Sequence, residues 1–144
     1  MPTARKFFNE QEQQMVVKAI TEAELKTSGE IRVHVENFCF GSELKAAEKV
    51  FARLNMHETK ERNGILIYIA TLSHKIAVAG DEGIHQKLGS EFWDKIVAKL
   101  IGQFKANRKA EALADCIIEC GEQLGKYFPR QSDDTNELTN TISY

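Results

Sequence analysis

Residues 63–83 read NGILIYIATLSHKIAVAGDEG, and this stretch decides the fold of the chain. Residues 65–70 are a continuous apolar run of strand length, which is typical of a strand covered on both faces. A short polar link at 71–74 joins this run to a second apolar run at 75–79, so the two runs predict an antiparallel hairpin. We expect the first strand of the hairpin to lie in the centre of a sheet.

Two acids follow the hairpin directly. Asp81 and Glu82 lie between Gly80 and Gly83, where the apolar run stops and a helical pattern starts. Glycine adopts backbone angles that other residues resist, so this turn is predicted to present both carboxylates at the end of the strand and to hold a ligand. The alternative is structural, because acids at a helix N-terminus also complement the helix dipole and are common in turns.

Upstream of the hairpin, the pattern predicts two helices and one strand. Residues 9–25 carry an apolar stripe at helical spacing, and Asn9 is suited to cap that helix. Apolar and polar residues alternate over 30–36, which predicts a strand near the sheet edge with one buried and one polar face. Ser42 is suited to cap a second helix, which ends near Asn55.

This order of elements brings distant residues to one end of the sheet. A right-handed crossover through the second helix makes the first two strands parallel, and the hairpin makes the third antiparallel to both. The beginnings of the first two strands, with Glu30 and Arg62, then lie at the same end as Asp81. We therefore expect acids that are far apart in sequence to converge there.

The second half of the chain is predicted to be helical. A short helical piece ends at Leu88, Ser90 caps a longer helix, and a last helix runs until Pro129 stops it. The pattern as a whole predicts an α/β fold around a small mixed β-sheet, with a helical C-terminal half.

A polar tail follows the last helix. Residues 130–144 are poorly patterned, and we expect an irregular segment held by Leu138 and Ile142. The remaining residues, 1–129, have the length of one domain.

Composition excludes several classes of protein. The chain has 144 residues with a net charge of −2, and its Lys and Arg residues are scattered among acids, which argues against nucleic acid as a partner. No segment approaches the roughly 20 apolar residues of a membrane span, and residues 1–14 lack the apolar core of a signal peptide. Three cysteines are too few for a disulfide framework. We therefore expect a cytoplasmic protein without membrane insertion.

The remaining metal-binding residue types are weaker candidates. Cys116 and Cys120 would share a helix face, but no histidine stands at ligand spacing beside them, so we expect ordinary buried thiols. We expect the histidines at 34, 57 and 74 to be unrelated surface groups. His85 follows Asp81 by four residues and is the one histidine that is a candidate ligand or proton carrier.

Three stretches of the chain resemble the TPM domain family. Residues 27–33 (TSGEIRV) resemble its first strand, residues 62–68 (RNGILIY) its central strand and residues 80–84 (GDEGI) its loop of glycines and acids. The pair at 92–93 (FW) and the tail residues 136–138 (NEL) are similar to a soluble bacterial subgroup. The resemblance implies a three-layer α/β/α sandwich, divalent-cation binding as in some members, and acid phosphatase activity as in a plant relative.

Carboxylates without a Cys–His arrangement favour a hard cation, so we expect weak binding of Ca²⁺ or Mg²⁺. The candidate ligands are Asp81 and Glu82, with Glu30 from the neighbouring strand and a carbonyl oxygen at Gly80. We expect a binding or regulatory role for such a site.

Two other functions stay open. One is a metal-dependent acid phosphatase acting on phosphomonoesters, in which a metal held by the same acids overcomes their repulsion of phosphate and Arg62 and Lys87 contact it. The other is a binding module, in which the metal stiffens the loop and an unidentified protein partner contacts the adjoining surface.

Overall fold

The computed structural model describes residues 2–130 and 140–144. Its three strands are β1 (Glu30–Glu36), β2 (Gly64–Ala70) and β3 (Lys75–Gly80). Its helices are α1 (Ala4–Phe7), α2 (Glu10–Glu24), α3 (Glu43–Arg53), α4 (Glu82–Lys105) and α5 (Lys109–Tyr127), with a 3₁₀ turn at Met56–Glu58. The short α1 is the one helix that the apolar pattern did not predict.

The sheet has the predicted topology. Its strand order is β1-β2-β3, so the uninterrupted apolar strand β2 is central. β1 runs parallel to β2, with Glu30 opposite Gly64, and β3 runs antiparallel to β2, with Gly80 opposite Ile65. The end of β3 therefore meets the beginnings of β1 and β2 at one edge.

Helices cover both faces of this sheet, which makes the fold a three-layer α/β/α sandwich. The odd-numbered residues of β2 and the even-numbered residues of β3 share the larger core with α2, α4 and α5, whereas the opposite face of β2 packs against α3. All seven residues of β2 are buried. Burying an aliphatic or aromatic side chain contributes about 1.5–3 kcal/mol, so β2 anchors both cores.

The helices start where capping chemistry predicted. Asn9 accepts the Glu12 N–H at 2.8 Å and donates its own N–H to the Glu12 carboxylate at 3.0 Å, a complete capping box. The Ser42 hydroxyl accepts the Lys45 N–H at 3.2 Å at the start of α3. α4 is interrupted at Gly89, whose φ of 78° is left-handed, so the predicted break between Leu88 and Ser90 is confirmed.

The predicted polar face of β1 is buried, which corrects the expectation that His34 is a surface group. At His34 the C-terminal tail contributes to the burial. Ser143 donates its N–H to the Val33 carbonyl and accepts the Val35 N–H, both at 2.8 Å, so it lies beside β1 like a short fourth strand. The His34 ring, 0% exposed, bonds the Ser143 hydroxyl at 2.9 Å and Glu36 at 2.8 Å.

The tail is held in part as expected. Ile142 packs against the larger core, whereas Leu138, the other expected anchor, lies outside the described residues. Within residues 2–130 and 140–144, none of the helices has both the length and the apolar character needed to cross a membrane.

Candidate functional site

The turn between β3 and α4 is organised by Asp81. Its backbone N–H donates to the Gly64 carbonyl across the sheet at 2.9 Å, and its side chain accepts the Glu82 N–H at 2.8 Å as the N-cap of α4. Its carbonyl accepts the His85 N–H at 2.9 Å in the first turn of the helix. Asp81 is therefore 6% exposed and joins the sheet to the helix.

Arg62 binds this carboxylate with two hydrogen bonds. Its Nε lies 2.8 Å from Asp81 Oδ2, and its Nη2 lies 2.9 Å from Oδ1. Its Nη1 also lies 3.5 Å from Glu82 Oε1, so one guanidinium contacts both acids. Arg62 reaches this position from a left-handed backbone conformation, with φ 53°, just before β2. Arg62 and Asp81 lie at the same end of the sheet, as the topology predicted.

His57 completes the polar cluster. Its Nδ1 lies 3.8 Å from Asp81 Oδ1 and 3.4 Å from Arg62 Nη2, and its ring packs edge-on against Phe51. The expectation that His57 is an unrelated surface group is wrong. No pattern in the sequence indicates its position, because a 3₁₀ turn after the left-handed residue Asn55 directs it towards Asp81.

The contacts of Asp81 and Arg62 shift the pKa of both side chains. Burial by itself would raise the pKa of Asp81, but hydrogen bonds from Arg62 and the Glu82 N–H, together with the guanidinium charge, hold that pKa below its ordinary value. The hydrogen bond to Asp81 raises the pKa of Arg62 in turn. Asp81 is thus a carboxylate at neutral pH.

Close packing, and not backbone freedom, explains why glycine stands at positions 80 and 83. The glycines with a positive φ in the described residues are Gly41 and Gly89. A Cβ at Gly80 would lie 2.8 Å from Cη2 of Trp93, and a Cβ at Gly83 would lie 2.6 Å from the Arg62 carbonyl oxygen. The expectation that glycine conformation presents the acids is therefore wrong: the glycines let α4 and Trp93 approach the backbone.

Glu30 is placed elsewhere. It is 2% exposed, and its carboxyl hydrogen-bonds Glu24 at the end of α2. Glu24 Oε2 also accepts the Ile31 N–H at 2.8 Å. Burial, the Glu30 hydrogen bond and the nearby Glu30 charge raise the pKa of Glu24 to about 9.

The structure brings Asp81 and Glu82 together at the turn, beside Gly80, and places Glu30 with Glu24. In the part of the chain that the structure describes, no three His, Cys, Asp or Glu side chains lie close enough together to hold a metal ion.

The remaining candidates have structural partners. The His85 Nδ1 accepts the indole N–H of Trp93 at 2.9 Å, so His85 holds that ring in place over Gly80. Cys116 and Cys120 are free, buried thiols on α5, as expected, and a hydrogen bond with Cys116 raises the pKa of Cys120. Lys87 is exposed on α4.

Comparisons with known proteins agree with this architecture. The sequence matches the TPM domain over residues 3–123. The BA42 protein from the psychrophilic bacterium Bizionia argentinensis is 40% identical over 99% of both chains, and the two structures superpose with a TM-score of 0.88. The N-terminal domain of a P. gingivalis protein shares the fold at 14% identity, with a TM-score of 0.69 over 86% of this chain and 82% of that one.

No curated protein matches the chain. The TPM domain match spans most of the sequence, and the three stretches that suggested the family lie at the start of β1, along β2 and at the turn into α4. The chain belongs to the TPM domain family.

Proposed function

We propose that the protein is a divalent-cation-binding TPM domain with a binding or regulatory role, and that Ca²⁺ or Mg²⁺ binds weakly at the turn between β3 and α4. One observation carries the proposal: Asp81 and Glu82 both contact a single positive group, the guanidinium of Arg62. Two carboxylates that share one cationic partner are also positioned to share a metal ion in its place.

The oxygen atoms at this turn suit a hard cation. Asp81 and Glu82 supply carboxylates. Asp81 donates its N–H to Gly64 across the antiparallel ladder, so the neighbouring Gly80 turns its carbonyl away from β2 and leaves that oxygen outside the ladder. Oxygen donors of this kind are the ligands of Ca²⁺ and Mg²⁺. Glu30, which bonds Glu24, is not a ligand of the proposed cation site.

Arg62 explains why the binding would be weak. A cation must compete with two hydrogen bonds of 2.8 and 2.9 Å and with the guanidinium charge. The side chain of Arg62 is 40% exposed, so it can leave Asp81 without unfolding the turn. A substitution that removes the guanidinium should therefore strengthen cation binding.

A titration of metal-stripped protein with Ca²⁺ and Mg²⁺, followed by backbone amide NMR shifts, tests the proposal. We expect saturable shifts centred on residues 80–84, several-fold tighter binding by Arg62→Gln, and loss of the response in Asp81→Asn. Arg108→Gln removes an exposed arginine at the start of α5 and should bind as wild type does. The weakest natural calcium sites have dissociation constants of about 1 millimolar. If neither wild type nor Arg62→Gln shows a localised response at about 10 millimolar metal, well above that value, the site is refuted.

The same variants address the phosphatase alternative. A metal-dependent acid phosphatase would release phosphate from p-nitrophenyl phosphate in the presence of Mg²⁺, and Asp81→Asn would lose that activity. In the structure the guanidinium of Arg62 is bound by carboxylates, so the geometry favours the binding role. Phosphate release that is lost in Asp81→Asn would favour the phosphatase role over the binding role.

A reducing compartment such as the cytoplasm fits the protein. Cys39, Cys116 and Cys120 are all free and buried, and free thiols of this kind are usual where disulfides do not form. A protein partner fits the binding role.

A further inference from the structure

A groove of about 680 Å³ lies between α3 and α4, and β3 forms its floor. β3 is an edge strand, because it pairs with β2 on one side and no described residue pairs with its other side. The unpaired edge of the sheet therefore lies at the bottom of the groove between two helices, where residues 76–79 are at most 9% exposed.

The hydrogen-bond register shows which backbone groups face the groove. Asp81 and Gly64 are directly opposite and hydrogen-bonded, so the residues of β3 that bond β2 alternate with residues that face away from it. The residues that face away are Ile76, Val78 and Gly80. Each offers an N–H donor and a C=O acceptor to the groove, spaced two residues apart as in any strand edge.

The edge lacks the features that usually block pairing with another strand. Natural edge strands are protected by inward-pointing charges, proline or bulges. β3 reads KIAVAG, so its one charged residue is Lys75 at the start, and its pairing with β2 is regular. Apolar side chains stand exposed on both walls, with Leu44 on α3 49% exposed and Ile101 on α4 38% exposed.

The side chains that line the groove carry a net negative charge. Among the described residues, three acids line it, Glu43 and Glu48 from α3 and Asp94 from α4, and no Lys or Arg does so. A positively charged ligand would therefore be attracted to this groove although the chain as a whole is nearly neutral.

We propose that the groove binds an extended segment of a partner protein that adds to β3 as a further strand. Its backbone pairs with Ile76, Val78 and Gly80. Side chains of a strand alternate between the two faces of a sheet, so its Lys or Arg side chains face Glu43 and Glu48 on α3, and its apolar side chains face α4. Asp94 on the other wall adds to the negative charge of the groove. The three outward-facing residues span about 13 Å, a length that about five extended residues match. This surface shares the Gly80 carbonyl with the proposed cation site but none of its carboxylates, and Ile76 and Val78 can pair with the segment whether or not a metal binds.

The probe is the peptide acetyl-Lys-Val-Lys-Val-Lys-Val-Lys-amide, titrated into the full chain and followed by backbone NMR shifts. We expect saturable shifts at residues 76–80 and slower hydrogen exchange of the Val78 N–H. A version with glutamate in place of lysine should bind at least tenfold more weakly, and so should a version N-methylated at alternate residues. Equal binding of the lysine and glutamate peptides, or no shift along β3, overturns the proposal.

Variants of the groove give an independent test. Glu48→Lys combined with Asp94→Lys changes two exposed residues on the walls and should weaken the lysine peptide at least tenfold, whereas Glu122→Lys on the exposed face of α5 should not. Sedimentation of the chain without peptide tests whether a second copy of the chain occupies the groove. If β3 pairs with β3 of a second copy at micromolar concentration, the groove is a dimer interface and the partner-segment proposal is wrong.

Discussion

At the scale of single residues, the buried pair of Glu24 and Glu30 couples this fold to pH. Both side chains are buried and their carboxyl groups hydrogen-bond each other, which requires a proton between them. Burial and the contact with Glu30 raise the pKa of Glu24 from its ordinary value of 4.5 to about 9, so the folded protein holds a proton on Glu24 that the unfolded chain releases across this range. Stability should therefore fall as the pH rises from about 4.5 towards 9.

Glu24→Gln should remove most of this dependence. The glutamine amide can accept the Ile31 N–H and donate to Glu30 with no charge to bury, so we expect about 1–2 kcal/mol more stability at pH 8 and a smaller gain at pH 5.5. Denaturant unfolding at both values measures the change. Glu22→Gln, at an exposed position on the same helix, is the control. An unchanged pH dependence in Glu24→Gln would show that another group titrates.

At the scale of elements, two of the three glycines of α4 have opposite roles. Gly83 lies in its first turn, where a Cβ would be 2.6 Å from the Arg62 carbonyl oxygen, and the Gly83 N–H donates to that oxygen at 2.8 Å. Gly102 lies in the same helix with no atom within 4 Å of its Cβ position. Packing requires glycine at the first position and not at the second.

The substitutions Gly83→Ala and Gly102→Ala should therefore have opposite signs. Gly83→Ala must push the helix start away from the backbone before β2, and we expect a loss of about 2 kcal/mol or more. Gly102→Ala removes only the entropic cost of glycine in a helix and should gain about 0.5–1 kcal/mol. Thermal or urea unfolding of the two variants measures both. Equal effects would mean that helix propensity alone governs these positions.

At the scale of the whole molecule, the C-terminal residues cover one edge of the sheet. They lie beside β1, the edge strand opposite β3. Ser143 makes two backbone hydrogen bonds to β1, Ile142 packs on the larger core, and Tyr144 lies 4.8 Å below the guanidinium of Arg5. These contacts join the last residues of the chain to its first helix and first strand.

Removing residues 140–144 should expose this edge. We expect a loss of about 2 kcal/mol, since two backbone hydrogen bonds and an apolar contact disappear and His34 becomes accessible. Fast hydrogen exchange at the Val35 N–H, which Ser143 accepts in the intact chain, would locate the change. Ser143→Ala keeps the backbone bonds and should retain slow exchange at Val35. Equally fast exchange in that variant would mean that the hydroxyl bond to His34 holds the tail.

The sequence by itself determined the elements and their order. Apolar periodicity placed α2, β2 and the hairpin, and capping chemistry placed the starts of α2 and α3. The crossover rule placed Arg62 and Asp81 at the same end of the sheet. These features depend on neighbours in the chain or on one topological rule, so local patterns suffice.

Only the tertiary structure decided which polar groups are buried and what they contact. Glu30 and Asp81 stand near the same end of the sheet, yet Glu30 bonds Glu24 and Asp81 bonds Arg62. His34 is buried because residue 143 lies beside it, 109 positions away. The physical reason is that side-chain direction and coverage depend on packing between distant segments, which alternation along one strand does not encode.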